Sequence, residues 1–169
     1  MSTTGASFHV ARSGTTVFIR SSGLANMKNA PMLEFFLTTA IEQGATTACI
    51  DLSACTGMDS TFMGLLVGTH KLLTEQKGRL VVVNPGVANL RLLEMLGVTV
   101  VVPVVEKQAP PDAEFVVMTS EPQMGPVQRM ELVQRAHQNL VKLSDANVAK
   151  FSAFLAALDK DLAKLKARG

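Results

Sequence analysis

One polar segment between two apolar stretches has the residue types for chemistry. It reads DLSACTGMDSTFMGLLVG, from Asp51 to Gly68, and its pattern predicts the end of a strand, a loop, and a helix that begins at Asp59 and Ser60. Free amide groups and the helix dipole favour anions at a helix start, so a phosphate on Ser60 would be stabilised there. Taken alone, the pattern favours a simpler role, in which Asp59 or Ser60 only caps the helix.

A catalytic role for this serine would require a base or a metal, and the sequence places neither beside it. His9, His70 and His137 lie on different predicted elements. The carboxylates Asp51 and Asp59 have no histidine at ligand spacing. We therefore predict a protein that is not an enzyme, with no catalytic residue, no metal and no cofactor.

The remaining chemistry-bearing residues favour structural roles. His137 lies in the run AHQNL, which has a faint similarity to a phosphotransfer helix. His70 lies inside the second predicted helix and is expected to be a surface residue or one at the edge of the core. No GxxxxGK[ST] phosphate loop is present, so Gly57, Gly64 and Gly68 predict a turn and close helix packing.

Composition and cysteine use indicate a packed cytoplasmic protein. Apolar residues make up 47% of the 169 residues, and the net charge of +2 comes from scattered side chains, so we expect no nucleic-acid partner. Met1–Ser7 lacks the pattern of a secretory signal, and no apolar run is long enough to cross a membrane. Cys49 and Cys55 have no CxxC or ligand spacing, which favours structural roles in a reducing compartment.

The first elements form a hairpin followed by a helix. Phe8–Arg12 and Thr16–Ser21 are rich in strand-forming residues and flank a Ser-Gly turn. Apolar residues at helical spacing occupy Pro31–Gln43, and Gly44 ends that helix.

Strands and helices then alternate. The patterns predict a strand at Thr47–Leu52, a helix at Thr61–Gln76, a strand at Arg79–Asn84, a helix at Val87–Leu96 and a last strand at Val98–Val105. Such units need crossover connections, so we expect an α/β domain with a mainly parallel central sheet and helices packed on it.

Beyond the last strand, four prolines in Lys107–Pro126 predict a linker, in which Phe115–Met118 is a candidate edge strand. Val127–Arg168 lacks Gly and Pro and is predicted to be helical, as a hairpin or coiled coil. Its apolar stripe shifts near Ser144, which favours two helices with Ser144 as a cap over one continuous helix. One stripe consists of Val133, Ala136, Leu140 and Leu143; the other consists of Val148, Phe151, Leu155, Leu158, Leu162 and Leu165.

Several of these elements together resemble a known family. The strand that ends in Asp51-Leu52, the run Met58–Gly64 (MDSTFMG) at the next helix start, and the stretch Pro85–Gly97 occur in a characteristic order and spacing. Over about residues 8–106, the chain resembles the STAS domain of bacterial anti-sigma-factor antagonists.

The resemblance implies a phosphorylation switch at Ser60. The unmodified domain would bind a serine-kinase anti-sigma factor, phosphorylation of Ser60 would release it, and a PP2C-type phosphatase is a candidate partner for the reverse step. Thr61 is the alternative acceptor. The implied contact residues are Asn26, Met58, Asp59, Ser60, Thr61, Phe62 and Met63.

Three positions depart from the family pattern. Thr61 replaces a second serine, Phe62 replaces a glycine and predicts a bulkier contact face, and Asn26 stands where an aspartate is common, which removes a charge.

We expect residues 1–106 to form the STAS-like domain, 107–126 the linker and 127–169 a helical extension. The extension would pack on its own domain or form a homodimer. An alternative function is a non-switching STAS scaffold or oligomerisation module in a signalling or transport complex; an independent hydrolase is the weakest alternative.

Overall fold

The computed structural model describes residues 6–119 and 121–168. The strands are β1 (Ser7–Ser13), β2 (Thr16–Ala25), β3 (Thr47–Asp51), β4 (Cys55–Met58), β5 (Arg79–Val83), β6 (Val104–Val105) and β7 (Val116–Val117). The helices are α1 (Ala30–Glu42), α2 (Ser60–Glu75), α3 (Val87–Met95), α4 (Val98–Val101), α5 (Pro126–Val141) and α6 (Asp145–Arg168).

The sheet has the order β6-β5-β3-β2-β1-β7, and β4 pairs with the far end of β2. The pairs β2–β3, β3–β5, β5–β6 and β2–β4 are parallel, whereas β1 is antiparallel to both β2 and β7. The predicted α/β architecture with a mainly parallel sheet is therefore confirmed.

The last predicted strand is largely wrong. Val98–Val101 forms the short helix α4, and only Val104–Val105 is a strand. Gly97 has a left-handed backbone with φ of +74°, which turns the chain directly from α3 into α4. Val98 and Val102 are fully buried, so burial stabilises a helical turn despite the strand propensity of valine.

One strand has no clear sequence pattern. Residues 55–58 (CTGM) form β4, whereas the sequence predicts a loop there. This strand pairs with Gly23–Ala25 at the end of β2, and the amide of Asp59 donates to the carbonyl of Ala25. The pairing fixes the chain that leads into α2.

Helix α2 lies between the sheet and α5. Its side chains Phe62, Leu66 and Leu73 are fully buried in the main core, and the Phe62 ring is stacked near that of Phe8 with centroids 6.5 Å apart. Helix α5 packs on the opposite side of α2, and α6 packs on α5. The order is therefore sheet, α2, α5, α6.

The C-terminal region consists of two helices, as predicted. The Ser144 hydroxyl accepts a hydrogen bond from the Asn147 amide, 3.1 Å away, which is the geometry of an amino-terminal cap. The Asn147 side chain donates to the carbonyls of Leu96 and Leu140, both at 2.8 Å, and thereby ties α6 to α5 and to the end of α3.

The predicted linker contains the two-residue strand β7 and ends where α5 begins, at Pro126. Because α5 packs directly on α2, the extension is continuous with the core rather than a separate body. The division into domain, linker and extension remains a prediction.

Candidate functional site

Ser60 is the first residue of α2, and Asp59 holds the helix start in place. Asp59 has an extended backbone and its Oδ1 accepts a hydrogen bond from the Phe62 amide at 2.9 Å. The other carboxylate oxygen accepts from the Met27 amide at 2.9 Å. One side chain thus caps α2 and binds the loop between β2 and α1.

Asn26 orders that loop from within. The side-chain Oδ1 of Asn26 accepts a hydrogen bond from the Lys28 backbone amide at 2.9 Å. The backbone amide of Asn26 donates to Asn29 Oδ1 at 3.0 Å. The side chain of Asn29 donates to the carbonyl of Leu24 at 2.7 Å. The amide side chain at position 26 therefore acts as a turn-forming group without a charge.

An open apolar groove lies beside the start of α2. Its volume is about 440 Å³. Leu24 and Met27 line it and are 56% and 55% exposed. The groove residues are Leu24, Ala25, Asn26, Met27, Lys28, Gly57, Met58, Asp59 and Leu92. The structure thus brings the predicted residues Asn26, Met58 and Asp59 to one surface and adds two large apolar side chains that the sequence analysis missed.

The next three predicted contact residues are directed inward. Thr61 and Met63 are each 3% exposed, and Phe62 is fully buried. The expectation that Phe62 enlarges the contact face is wrong for this conformation, because its ring fills the core. The Thr61 side chain is likewise enclosed by the protein.

His137 of α5 contacts the candidate switch. Its Nε2 lies 2.7 Å from Ser60 Oγ, although the two residues are 77 positions apart. The statement that no base lies near Ser60 is therefore corrected by the packing of α5 on α2. Sequence spacing alone could not place these residues together.

The hydrogen bonds of His137 favour one tautomer of the neutral ring. Nδ1 lies 2.7 Å from the Val133 carbonyl, which can only accept, so Nδ1 carries the hydrogen. In the neutral ring, Nε2 then accepts from the Ser60 hydroxyl. His137 as a whole is 3% exposed, and its ring lies near those of Phe151 and Phe154, with centroids 5.0 and 4.7 Å away.

A serine that donates to a histidine is the arrangement found in many nucleophilic enzymes. Here the other ring nitrogen is bonded to a neutral carbonyl, so no carboxylate stabilises the imidazolium that catalysis would create. The ring is also enclosed by helix packing. The geometry therefore favours a packing contact over a catalytic pair.

Small residues let α5 approach α2 closely. Ser60, Gly64 and Gly68 follow one another at four-residue spacing along α2. A Cβ at Gly64 would lie 2.1 Å from the Ala136 carbonyl oxygen, and the Asn139 side chain donates to the Gly64 carbonyl at 3.2 Å. The prediction that Gly64 and Gly68 serve close helix packing matches this contact.

A family profile described as "Mlab, STAS domain" matches residues 8–105, more than half of the chain. The chain belongs to the STAS family. No curated protein matches it, whereas several solved structures do.

The STAS fold of this chain is that of anti-sigma-factor antagonists. The structure of SpoIIAA in its unphosphorylated form is 26% identical, with a TM-score of 0.53, and the alignment covers 58% of this chain and 87% of SpoIIAA. The phosphorylated form from Bacillus is also 26% identical, with a TM-score of 0.50, 58% of this chain covered and 90% of the other. An anti-sigma-factor antagonist from Mycobacterium paratuberculosis supports the fold, at 24% identity and a TM-score of 0.56, with 63% and 90% covered.

The STAS match ends before the C-terminal helices begin. It stops at residue 105, so Ser60 lies inside the matched region and His137 lies outside it. The contact between them therefore joins the matched region to a helix that lies outside it.

Burial shifts the pKa values of both cysteines and of His70, the histidine on α2. Burial, with a contribution from the Asp51 charge, raises the pKa of Cys49 to about 11, and burial also raises the pKa of Cys55. Burial lowers the pKa of His70, whose Nδ1 accepts a hydrogen bond from the Leu80 amide.

In the part of the chain that the structure describes, no cluster of His, Cys, Asp or Glu is suited to a metal ion. No helix there is long and apolar enough to span a membrane.

Proposed function

We propose that this STAS protein is an anti-sigma-factor antagonist switched by phosphorylation of Ser60. In its unmodified form it binds a serine-kinase anti-sigma factor in the cytoplasm, and the phosphorylated form is released. A PP2C-type phosphatase reverses the modification. The observation that carries this proposal is the position of Ser60 at the start of α2, beside the open apolar groove, in a chain whose fold is that of anti-sigma-factor antagonists.

The groove supports protein binding. Leu24 and Met27 present apolar surface in a setting that also offers polar groups, including the Lys28 side chain at the rim. Buried apolar contacts surrounded by polar groups are common in protein interfaces. A partner docked there would lie against the first turn of α2.

Phosphorylation would change this surface through charge. A phosphate adds about −1.5 to −2 charges at neutral pH. Asp59 already places one carboxylate beside Ser60. A partner that buries apolar area in the groove would have to desolvate the added charge, which weakens docking.

The test combines site mapping with a charge comparison. The protein is incubated with ATP and purified serine-kinase anti-sigma factors of its organism, and the phosphate is located by mass spectrometry. We expect modification of Ser60 and its loss in Ser60→Ala, whereas a Thr61→Val variant keeps it because Thr61 is buried.

Binding of the same kinase to Ser60→Asp and Ser60→Asn separates charge from shape. We expect Ser60→Asp to weaken binding by about tenfold or more, as interfacial charge changes do, while the neutral Ser60→Asn has a smaller effect. Absence of phosphate on Ser60 and Thr61, together with binding that Ser60→Asp leaves unchanged, would contradict the switch.

A second candidate is a non-switching scaffold in a signalling or transport complex. The observation that favours it is the hydrogen bond of Ser60 to His137, which already engages the hydroxyl within the protein. Tight binding of a partner without any change between the Ser60→Asp and Ser60→Asn variants would support this function. Turnover of an ester substrate that Ser60→Ala abolishes would instead revive the hydrolase.

The homodimer remains a separate proposal. Leu158 and Leu162 of the predicted seam are buried within one chain, whereas Val148 is exposed. Much of the apolar surface that motivated a dimer is therefore covered by the chain itself.

A further inference from the structure

Helix α5 covers one side of the candidate switch. Ser60 is half-buried, and its hydroxyl faces the imidazole of His137 at 2.7 Å. A kinase must bring its catalytic base to a similar distance from the same hydroxyl, about 2.6–3.2 Å. The position that the base needs is therefore occupied by His137.

The cover is more than one side chain. Behind His137 stand Phe151 and Phe154 of α6, and below it Ala136 touches the backbone of α2 at Gly64. A kinase loop that approaches Ser60 from this direction meets two helices. Rotation of the His137 side chain alone would not open the path.

The contact between α2 and α5 combines buried apolar side chains with polar groups at its edge. Leu132, Ala136 and Leu140 of α5 are buried, and Leu132 and Leu140 belong to the main core. A groove of about 310 Å³ lies along it, lined in part by Lys71, Arg135 and Asn139. The pair Arg135–Glu34, which joins α5 to α1, is 52% and 28% exposed in its side chains, and exposed ion pairs contribute little stability. Moving α5 away from α2 would expose this apolar surface, so we expect the covered form to be the more populated one.

We infer that the hairpin of α5 and α6 is a tethered cover that blocks access to Ser60 and must move away before the serine is phosphorylated. The regulatory part of this inference rests on the proposed function. That α5 and α6 block access to Ser60 does not depend on the proposed function, and this part is tested without a partner protein.

Two substitutions displace the cover from opposite sides. Ala136→Leu adds bulk on α5, where the parent side chain is 3% exposed, and leaves the surface of α2 unchanged. Gly64→Ala adds a methyl group on α2 that would collide with the Ala136 backbone. Matched controls are Gln138→Leu, at an exposed position of α5, and Gly86→Ala, where an added Cβ meets nothing within 4 Å.

Access is measured with a thiol reporter, Ser60→Cys, in each of these backgrounds. The reporter is alkylated with iodoacetamide or with a maleimide on a polyethylene glycol chain, and each cysteine is followed by peptide mass spectrometry. Both reagents need the thiolate, so the ratio of the bulky to the small rate reports access rather than activation by His137. The native cysteines give a slow background because their pKa values are raised.

We expect Ala136→Leu and Gly64→Ala to raise this ratio by about tenfold or more, because they shift the equilibrium from the covered to the open form. The two controls should leave the ratio unchanged. Amide exchange of the β3 and β5 peptides must stay slow, which shows that the sheet remains folded. An equal ratio in the parent and in both displaced variants, with a folded sheet, would overturn the cover.

The same variants with Ser60 intact then test regulation. We expect the kinase to phosphorylate Ser60 faster in Ala136→Leu than in Gln138→Leu. If access rises and phosphorylation occurs at the parent rate, the regulatory role of the cover is overturned. If access rises and no variant is phosphorylated, the cover stands and the proposed switch fails.

Discussion

The two sides of helix α2 differ in the way they are packed. The side facing the sheet carries large apolar side chains, among them Phe62 and Leu66, that are fully buried. The side facing α5 carries Ser60, Gly64 and Gly68, and its contacts include hydrogen bonds through His137 and Asn139. One helix thus anchors the core through large apolar side chains on one side and lets a second helix approach closely through small residues on the other.

The largest expected effect is on the sheet side. Phe62→Ala removes a ring that is stacked near Phe8 in the core, and such truncations cost about 3–5 kcal/mol. Urea unfolding followed by circular dichroism measures the loss. The matched control is Phe35→Ala, at a ring that is 53% exposed, and a similar loss in both variants would contradict the assignment of Phe62 to the core.

A smaller effect is expected on the side that faces α5. Ser60→Ala leaves the buried Nε2 of His137 without its donor, which costs about 1–3 kcal/mol when no water replaces it. We expect faster amide exchange in α5 and little change in β3 and β5. Ser152→Ala, at an exposed position of α6, is the control, and unchanged exchange of α5 in Ser60→Ala would show that the hydrogen bond does not hold the helix.

The smallest effect comes from His70, on α2 beside β5. Burial lowers the pKa of His70 below 6.5, so the folded state favours the neutral ring. The resulting contribution to the free energy of unfolding is complete above about pH 6.5 and is lost as the pH falls through the folded pKa. We expect His70→Gln to flatten the decline in stability between about pH 6.5 and the folded pKa of His70, and the effect to be small because the side chain is partly exposed and screened by solvent. Parallel unfolding free energies for parent and variant across that window would remove His70 from the pH response.

Much of the fold follows from local patterns. The apolar run of β5 and the spacing of Leu65, Leu66 and Leu73 in α2 are strong signals for a strand and a helix. The stripe change near Ser144 likewise predicts the two C-terminal helices, because each helix must turn its own apolar face to a neighbour.

The errors arise where tertiary contacts override local preference. Val98–Val101 has the composition of a strand, yet the left-handed Gly97 and the burial of Val98 produce a helix. In β4 the pairing with β2 supplies stability that the sequence CTGM does not indicate.

The site was only half predictable for a related reason. Ser60 and Asp59 lie next to each other in the chain, so helix-start rules apply to them. His137 reaches Ser60 only through helix packing. The small residues at four-residue spacing in α2 predict close approach of some helix, and the stripe of Ala136 and Leu140 is its counterpart, but neither names its partner.

The covalent connection between the STAS fold and α5 has a consequence for measured affinities. A tethered element acts as a competitor at an effective concentration on the order of millimolar, which dilution does not reduce. If the covered form outnumbers the open one by about a hundredfold, any ligand that needs the open face binds about a hundredfold more weakly than its intrinsic affinity. The connection from β7, which is paired with β1, to α5 and the residues at the contact would then together set how much of the protein responds to a given amount of kinase.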